Sequence, residues 1–269
     1  MSYGTVFCKA VILALIGTII ASCSVSVSQE RQELEPVIAS PVPTASVSSP
    51  PSIVESPQLT SHTRAVNYGF STEIDPSKRY MFYLHGKIIE DQGLPAISHV
   101  YGEYQYEQIL KVLKSYGFVM ISEQRSKNTD GWEYAQRVAE QIAELISADV
   151  LPGHITVVGA SKGAAIATVI SNIVQISEVN YILLGTCHSS LIDEWRQQGL
   201  TVLGNILAIY DAADNEYSGS CEDLFARSEG KGFSRHLELV LQVGTGHGIL
   251  YQPLDEWVLP TVRWANQEW

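Results

Sequence analysis

Three widely separated positions carry the residue types needed for nucleophilic catalysis: Ser161, an aspartate at 211 or 214, and His247. A serine hydroxyl is a weak nucleophile until a neighbouring base takes its proton. That base works best when a carboxylate orients it. Ser161 lies in Gly159-Ala160-Ser161-Lys162-Gly163, which fits G-x-S-x-G. The stretch before it, "HITVVGAS", reads as a strand, and "KGAAIATVISNIV" after it reads as a helix. A serine on so sharp a turn tolerates strained dihedrals only if its neighbours two residues away have no bulk. The turn then lifts Oγ above the sheet. The first N–H groups of the helix face the same point and favour developing negative charge. The plain alternative is a tight turn packed against the next helix, with Ser161 as filler. A phosphate loop, G-x-x-x-x-G-K-[ST], is not present.

The base and the acid follow later in the chain. "ILAIYDAADNEY" is a strand running into Asp211 and Asp214, and "LVLQVGTGHGILYQ" is a strand running into His247 between two glycines. A lone loop histidine is ordinarily a solvated or locally bonded imidazole. Serine, aspartate and histidine at three strand ends, in that order, make a stronger pattern.

The elements that must position these residues alternate. Strands are read at "RYMFYLHG", "GFVMISEQ", "HITVVGAS", "NYILLGT", "NILAIYD" and "HLELVLQVG". Helices are read at "YQYEQILKVLKSY", "GWEYAQRVAEQIAELISA", "KGAAIATVISNIV" and "LDEWVLPTVRWAN", the last with a bend expected at Pro260. Near-continuous apolar strands between helices predict an α/β fold, a mostly parallel sheet covered on both faces, with right-handed crossovers. Sites in such sheets form outside the C-terminal ends of the strands. Residues Thr63 to Ile74 add one or two short strands to this expectation.

The Ser…Asp…His order, with the serine on a strand-to-helix elbow, resembles the α/β-hydrolase family over residues 62–269. The resemblance implies that Ser161 is the nucleophile, His247 the general base and then acid, and Asp214 its orienting carboxylate. Asp211 is the alternative acid, and its other reading is a loop-capping carboxylate. The implied oxyanion hole takes one backbone N–H from Lys162. It takes a second from "YLHGKIIEDQG", at Lys87 or Gly86, with His85 as a hydrogen-bonded loop anchor. The Lys162 side chain is either solvated or near an anionic substrate. The long loop from Lys87 to Tyr104 carries Tyr101 and Tyr104 and either roofs the site or is ordinary surface. The short connection between the strands ending at Gly185 and Asp211 leaves no room for a lid domain. The implied activity is cleavage of a carboxylic ester or thioester in a small-molecule acyl substrate, through an acyl-enzyme, with no cofactor and no metal. An acyltransferase using the same residues and a non-catalytic ligand-binding lipoprotein are the alternatives.

The N-terminal residues predict where this happens. Lys9 precedes the apolar run "AVILALIGTIIAS", which has the length of a signal-peptide core. Ile20-Ala21-Ser22-Cys23 resembles the bacterial lipobox, implying a signal peptide over 1–22 and lipidation of Cys23. An uncleaved anchor or a plain signal peptide is the alternative, and each places the chain outside the cytoplasm. Ser24, where an aspartate would retain the protein at an inner membrane, leans toward the outer membrane. Residues 23–61, rich in Ser and Pro, read as a disordered tether. The formal net charge of −12 argues against nucleic acid as a partner. Cys187 and Cys221, each just beyond a strand end, pair in an oxidising compartment or stay as two buried thiols. His188 beside Cys187 is too little for zinc.

Overall fold

The computed structural model describes residues 73–231 and 235–269. The signal peptide, Cys23 and the tether lie outside the described residues. So does most of Thr63–Ile74, of which Glu73 and Ile74 are described and are not in a strand.

In chain order the elements are β1 (Tyr80–Leu84), α1 (Lys87–Gln92), β2 (Ile97–Ser98), β3 (Gly102–Glu103), α2 (Tyr106–Ser115), β4 (Val119–Ile121), α3 (Gly131–Ser147), β5 (Ile155–Ala160), α4 (Lys162–Val174), β6 (Asn180–Leu184), α5 (Ser189–Gln197), β7 (Asn205–Asp211), α6 (Glu222–Ser228), β8 (Arg235–Leu241) and α7 (Asp255–Ala265). Among the described residues β4-β1-β5-β6-β7-β8 form one six-stranded sheet, in that order. Every pairing in it is parallel. The strand order switches at β1, between β4 and β5, the kind of point where open parallel sheets carry their sites, and Ser161 follows the end of β5.

Strand alternation divides the core in two. Tyr80, Phe82 and Leu84 of β1 face α3 and α4, together with residues from α5 and α6. Met81 and Tyr83 face the other way, toward α2 and α7. Each helix supplies one apolar face: Val138, Ile142 and Leu145 of α3 on the first side, Ile109, Leu110 and Leu113 of α2 on the second. Asp130 caps α3, its Oδ1 accepting from the N–H groups of Trp132 (2.8 Å) and Glu133 (3.0 Å). With both faces covered, the central strands are buried throughout, as their near-continuous apolar sequences required.

One expectation is corrected here. The stretch from Lys87 to Tyr104 is not one long loop: it folds into α1 and the β2–β3 hairpin, an antiparallel pair. The last helix, α7, runs from Asp255 to Ala265 with Pro260 inside it. The strand expected in "HLELVLQVG" is present as β8, ending at Leu241, and lies at the edge of the described sheet, only partly covered. The connection between β6 and β7 holds only the nine-residue α5.

Candidate active site

Ser161 sits between β5 and α4 with φ 54° and ψ −119°, a backbone conformation that side chains other than glycine rarely adopt. The two glycines of the motif have a geometric cause. A Cβ on Gly159 would collide with the Gly163 carbonyl, and a Cβ on Gly163 would collide with the Leu84 carbonyl of β1. The turn closes only if both positions lack a side chain. It is held by the Ser161 N–H donating to Leu84's counterpart on the other flank, the Leu184 carbonyl of β6, at 2.8 Å.

The structure brings three of the sequence-identified residues into one hydrogen-bonded line. His247 Nε2 lies 2.9 Å from Ser161 Oγ, and His247 Nδ1 lies 2.6 Å from Asp214 Oδ2. His247 is buried in the 3-10 turn Gly246–Tyr251 that follows β8. Asp214 lies three residues past the end of β7 and is buried as well. Its Oδ2 also accepts from Ser218 Oγ, and its Oδ1 accepts from the Tyr217 N–H at 3.2 Å. Burial pushes the Asp214 carboxyl up. The hydrogen bonds from His247, Ser218 and the Tyr217 amide outweigh that and hold it below the ordinary carboxylate value. Asp214 is therefore ionised at neutral pH.

Asp211 has different partners. Its Oδ2 accepts from the backbone N–H groups of Thr245 (2.9 Å) and Gly246 (3.0 Å), and its Oδ1 from Ala213 (3.2 Å). It is the loop-capping carboxylate of the two. Through it, the last residue of β7 grips the turn that presents His247.

A disulfide joins Cys187 to Cys221, with Cα atoms 5.2 Å apart. An isolated bridge between Cys187 and Ser218 lies beside it, and Gly219 N–H donates to the Thr186 carbonyl at 2.9 Å. The loop carrying Asp214, Tyr217 and Ser218 is thus pinned to the end of β6.

The other side of Ser161 is built from charges. Gly86 approaches closely, so that a Cβ there would lie 3.5 Å from the Ser161 Cβ. Lys87 and Lys162 are the first residues of α1 and α4, where backbone N–H groups have no intrahelical acceptor. The Gly86 backbone also hydrogen-bonds the buried Tyr104 hydroxyl. The Lys162 side chain is not freely solvated. Its Nζ donates to Glu90 Oε2 at 2.6 Å and to the Thr129 carbonyl at 2.8 Å. Glu90 Oε1 in turn accepts from Arg125 Nε at 2.7 Å. Arg125 donates its backbone N–H to His85 Nε2 at 2.9 Å and its guanidinium to the His85 carbonyl. Because Nε2 accepts, the proton of neutral His85 sits on Nδ1, 2.8 Å from the Gly86 carbonyl. Burial, then the Arg125 charge, push the His85 pKa down to about 3. His85 is a neutral loop anchor.

Aromatic rings line the open side. Tyr101 of the β2–β3 hairpin lies 6.5 Å from the His247 ring and Tyr217 lies 5.0 Å from it, while Tyr104 is buried beneath them. Sequence reasoning missed Glu90, Arg125, Tyr217 and Ser218. None belongs to a motif, and each acquires its place only through the packing of distant segments.

No family model and no curated protein matches the chain. Solved structures do. A dienelactone hydrolase from Anabaena variabilis is 12% identical with a TM-score of 0.48, covering 76% of this chain and 96% of its own. A sugar hydrolase from Lactococcus lactis is 15% identical with a TM-score of 0.45, covering 75% and 90%. A phospholipase/carboxylesterase from Dyadobacter fermentans is 13% identical with a TM-score of 0.44, covering 68% and 90%. Likeness at these identities and scores carries nothing about chemistry. It is the parallel order β4-β1-β5-β6-β7-β8, with the glycine-flanked turn at Ser161 at the end of β5, that makes this an α/β-hydrolase fold.

Proposed function

We propose that the chain is a serine hydrolase that cleaves ester-like bonds, carboxylic esters or thioesters, through an acyl-enzyme. One observation carries the reading: the continuous line Ser161 Oγ–His247 Nε2–His247 Nδ1–Asp214 Oδ2, at 2.9 and 2.6 Å, on a strained strand-to-helix turn. In this mechanism Ser161 Oγ attacks the carbonyl carbon while His247 Nε2 takes its proton. Ionised Asp214 holds the imidazole through Nδ1–H and stabilises the imidazolium that forms. The carbonyl oxygen gains negative charge and accepts from the Lys162 N–H and from the N–H of Lys87. Collapse expels the alcohol or thiol, which receives the proton from His247. Water then enters by the same route in reverse, and the acid product leaves with Ser161 restored. The chemistry needs no cofactor.

The test is labelling of the full-length chain with a fluorophosphonate, beside Ser161→Ala and His247→Ala. Labelling of the wild type that disappears in both folded variants supports an activated serine. A folded wild type that stays unlabelled overturns the reading and leaves a ligand-binding protein on a hydrolase fold.

We further propose that the domain works outside the cytoplasm, held to a bacterial membrane through lipidated Cys23. The lipobox-like Ile20-Ala21-Ser22-Cys23 supports this, and the Cys187–Cys221 disulfide suits an oxidising compartment. Incorporation of a tagged palmitate that is abolished by Cys23→Ser would support it. Equal incorporation in both chains would refute it.

A further inference from the structure

Three buried or half-buried charges lie directly behind Ser161, and no step of acyl transfer uses them. The side chains of Arg125 and Glu90 are 0% and 1% exposed, and that of Lys162 is 25% exposed. Burying such a group is expensive. A well-packed apolar set of the same volume would often serve stability as well or better. Its presence invites an explanation other than stability.

Its wiring supplies one. The strands β1 and β5 are paired as far as Leu84 and Gly159. Past that pair the chains diverge into the starts of α1 and α4, which carry the two backbone donors at Lys87 and Lys162. The ion pair from Lys162 to Glu90, 2.6 Å, spans the divergence, because Glu90 lies three residues beyond Lys87 on α1. Arg125, arriving from the loop after β4, fixes the far side of Glu90 at 2.7 Å. It also holds His85, whose ring closes the circuit onto the Gly86 carbonyl. The Thr129 carbonyl holds the Lys162 ammonium from the remaining direction at 2.8 Å. The arrangement is a rigid strut between two amides that must act on one oxygen atom. A donor displaced by a fraction of an ångström loses much of its effect on a developing oxyanion.

We propose that the Lys162 side chain, through its ion pair with Glu90, is a positioning residue that sets the spacing of the two backbone donors of the oxyanion site. The proposal rests on the serine-hydrolase reading above. It assigns the ammonium no contact with substrate. Its effect belongs to the tetrahedral state and not to substrate binding.

The experiment uses full-length wild type, Lys162→Met and Lys162→Arg with p-nitrophenyl acetate as the probe ester. Lys162→Met keeps the backbone N–H and the aliphatic stem, and it leaves Glu90 paired with Arg125. Its kcat should fall between about 10- and 100-fold with KM changed less than about twofold. Lys162→Arg, which can still reach Glu90, should recover most of that loss. Affinity for phenylboronic acid, whose tetrahedral adduct places an oxygen between the donors, should weaken in parallel with kcat/KM across the three proteins. A merely structural lysine would not produce that parallel. Should Lys162→Met fail to fold, Glu90→Gln takes its place with the same expectations. An unchanged kcat, or a rise in KM with kcat unchanged, overturns the proposal. Wild type that neither hydrolyses the ester nor labels with a fluorophosphonate removes the hydrolase reading, and the proposal with it. An active wild type with indifferent variants removes the proposal alone.

Discussion

The two flanks of Ser161 are held in place by different kinds of bond. On the β1–β4 flank, buried ion pairs join Glu90 to Arg125 and Lys162. On the β7–β8 flank, the Cys187–Cys221 disulfide and a carboxylate gripping backbone amides do the same work. The first flank contributes the proposed oxyanion donors, the second the proposed base and its orienting carboxylate. Charges fix a position through geometry that a single substitution can undo. A covalent link and main-chain hydrogen bonds leave the side chains free for chemistry. The flank proposed to move protons keeps its ionised Asp214 apart from Asp211, the carboxylate that holds the loop.

The sharpest way to break this division is to exchange the fates of the two aspartates. Asp214→Asn should reduce kcat by about 10⁴-fold, because the amide favours the wrong imidazole tautomer, while leaving the fold intact. Asp211→Ala should do the opposite. It strands the N–H groups of Ala213, Thr245 and Gly246, so unfolding free energy should fall by about 2 kcal/mol with a much smaller loss in kcat. Denaturant melts beside steady-state kinetics would decide it, and equal kinetic losses would merge the roles that the two carboxylates appear with here as distinct.

Cutting the covalent support comes next. Reduction, or Cys187→Ser with Cys221→Ser, should lower stability by about 3 kcal/mol, given a sequence separation of 34 residues. It should also lower kcat, because the loop carrying Asp214 and Ser218 loses its anchor to β6. Lys162→Met should be insensitive to reductant in its effect on kcat. If reductant cancels that effect, the flanks are coupled and the comparison fails.

On the charged flank the signal is pH. His85 is neutral in the fold, with its pKa lowered from 6.5 to about 3, and it faces Arg125, Lys162, Glu90 and the Tyr106 ring. A depressed histidine pKa means the unfolded chain binds a proton that the folded chain refuses. Stability from His85 is therefore complete above about pH 6.5 and declines as pH falls toward 3, by about 1.4 kcal/mol per pH unit. His85→Gln should flatten the profile by that slope. An unaltered slope would mean that His85 is protonated in the fold.

The smallest change in stability belongs to the turn between the flanks. Ser161→Gly removes the left-handed strain at φ 54° and should raise stability by about 1 kcal/mol while abolishing turnover. A loss of stability would show that the hydroxyl's bond to His247 outweighs the strain.

Much of the second flank was legible in the sequence. Gly159, Ser161 and Gly163 announce the elbow because sterics leave no other residues that close it. His247 could be found because it follows an apolar run at the right place in the order. Asp214 was favoured over Asp211 only through the family resemblance, since both sit at the end of one strand. What separates them is which one faces main-chain amides of a turn more than thirty residues away. The first flank was nearly silent. Glu90, Arg125 and Lys162 meet only because β4, β1 and β5 are neighbours in the sheet, an order that periodicity does not reveal. The helix α1 was missed for a local reason: at six residues it is too short to display a helical repeat.

Edge strands are where sheets open first, and β8 lies at the edge with Val240 45% exposed. The turn bearing His247 follows β8 in the chain but takes its reference from β7, through Asp211. Fraying of the edge therefore need not carry the imidazole away from Ser161. The amides of Thr245 and Gly246, although they lie in a turn, should exchange with deuterated solvent more slowly than that of Val240 in the strand before them. The catalytic clock and the breathing of the sheet's margin would then run independently.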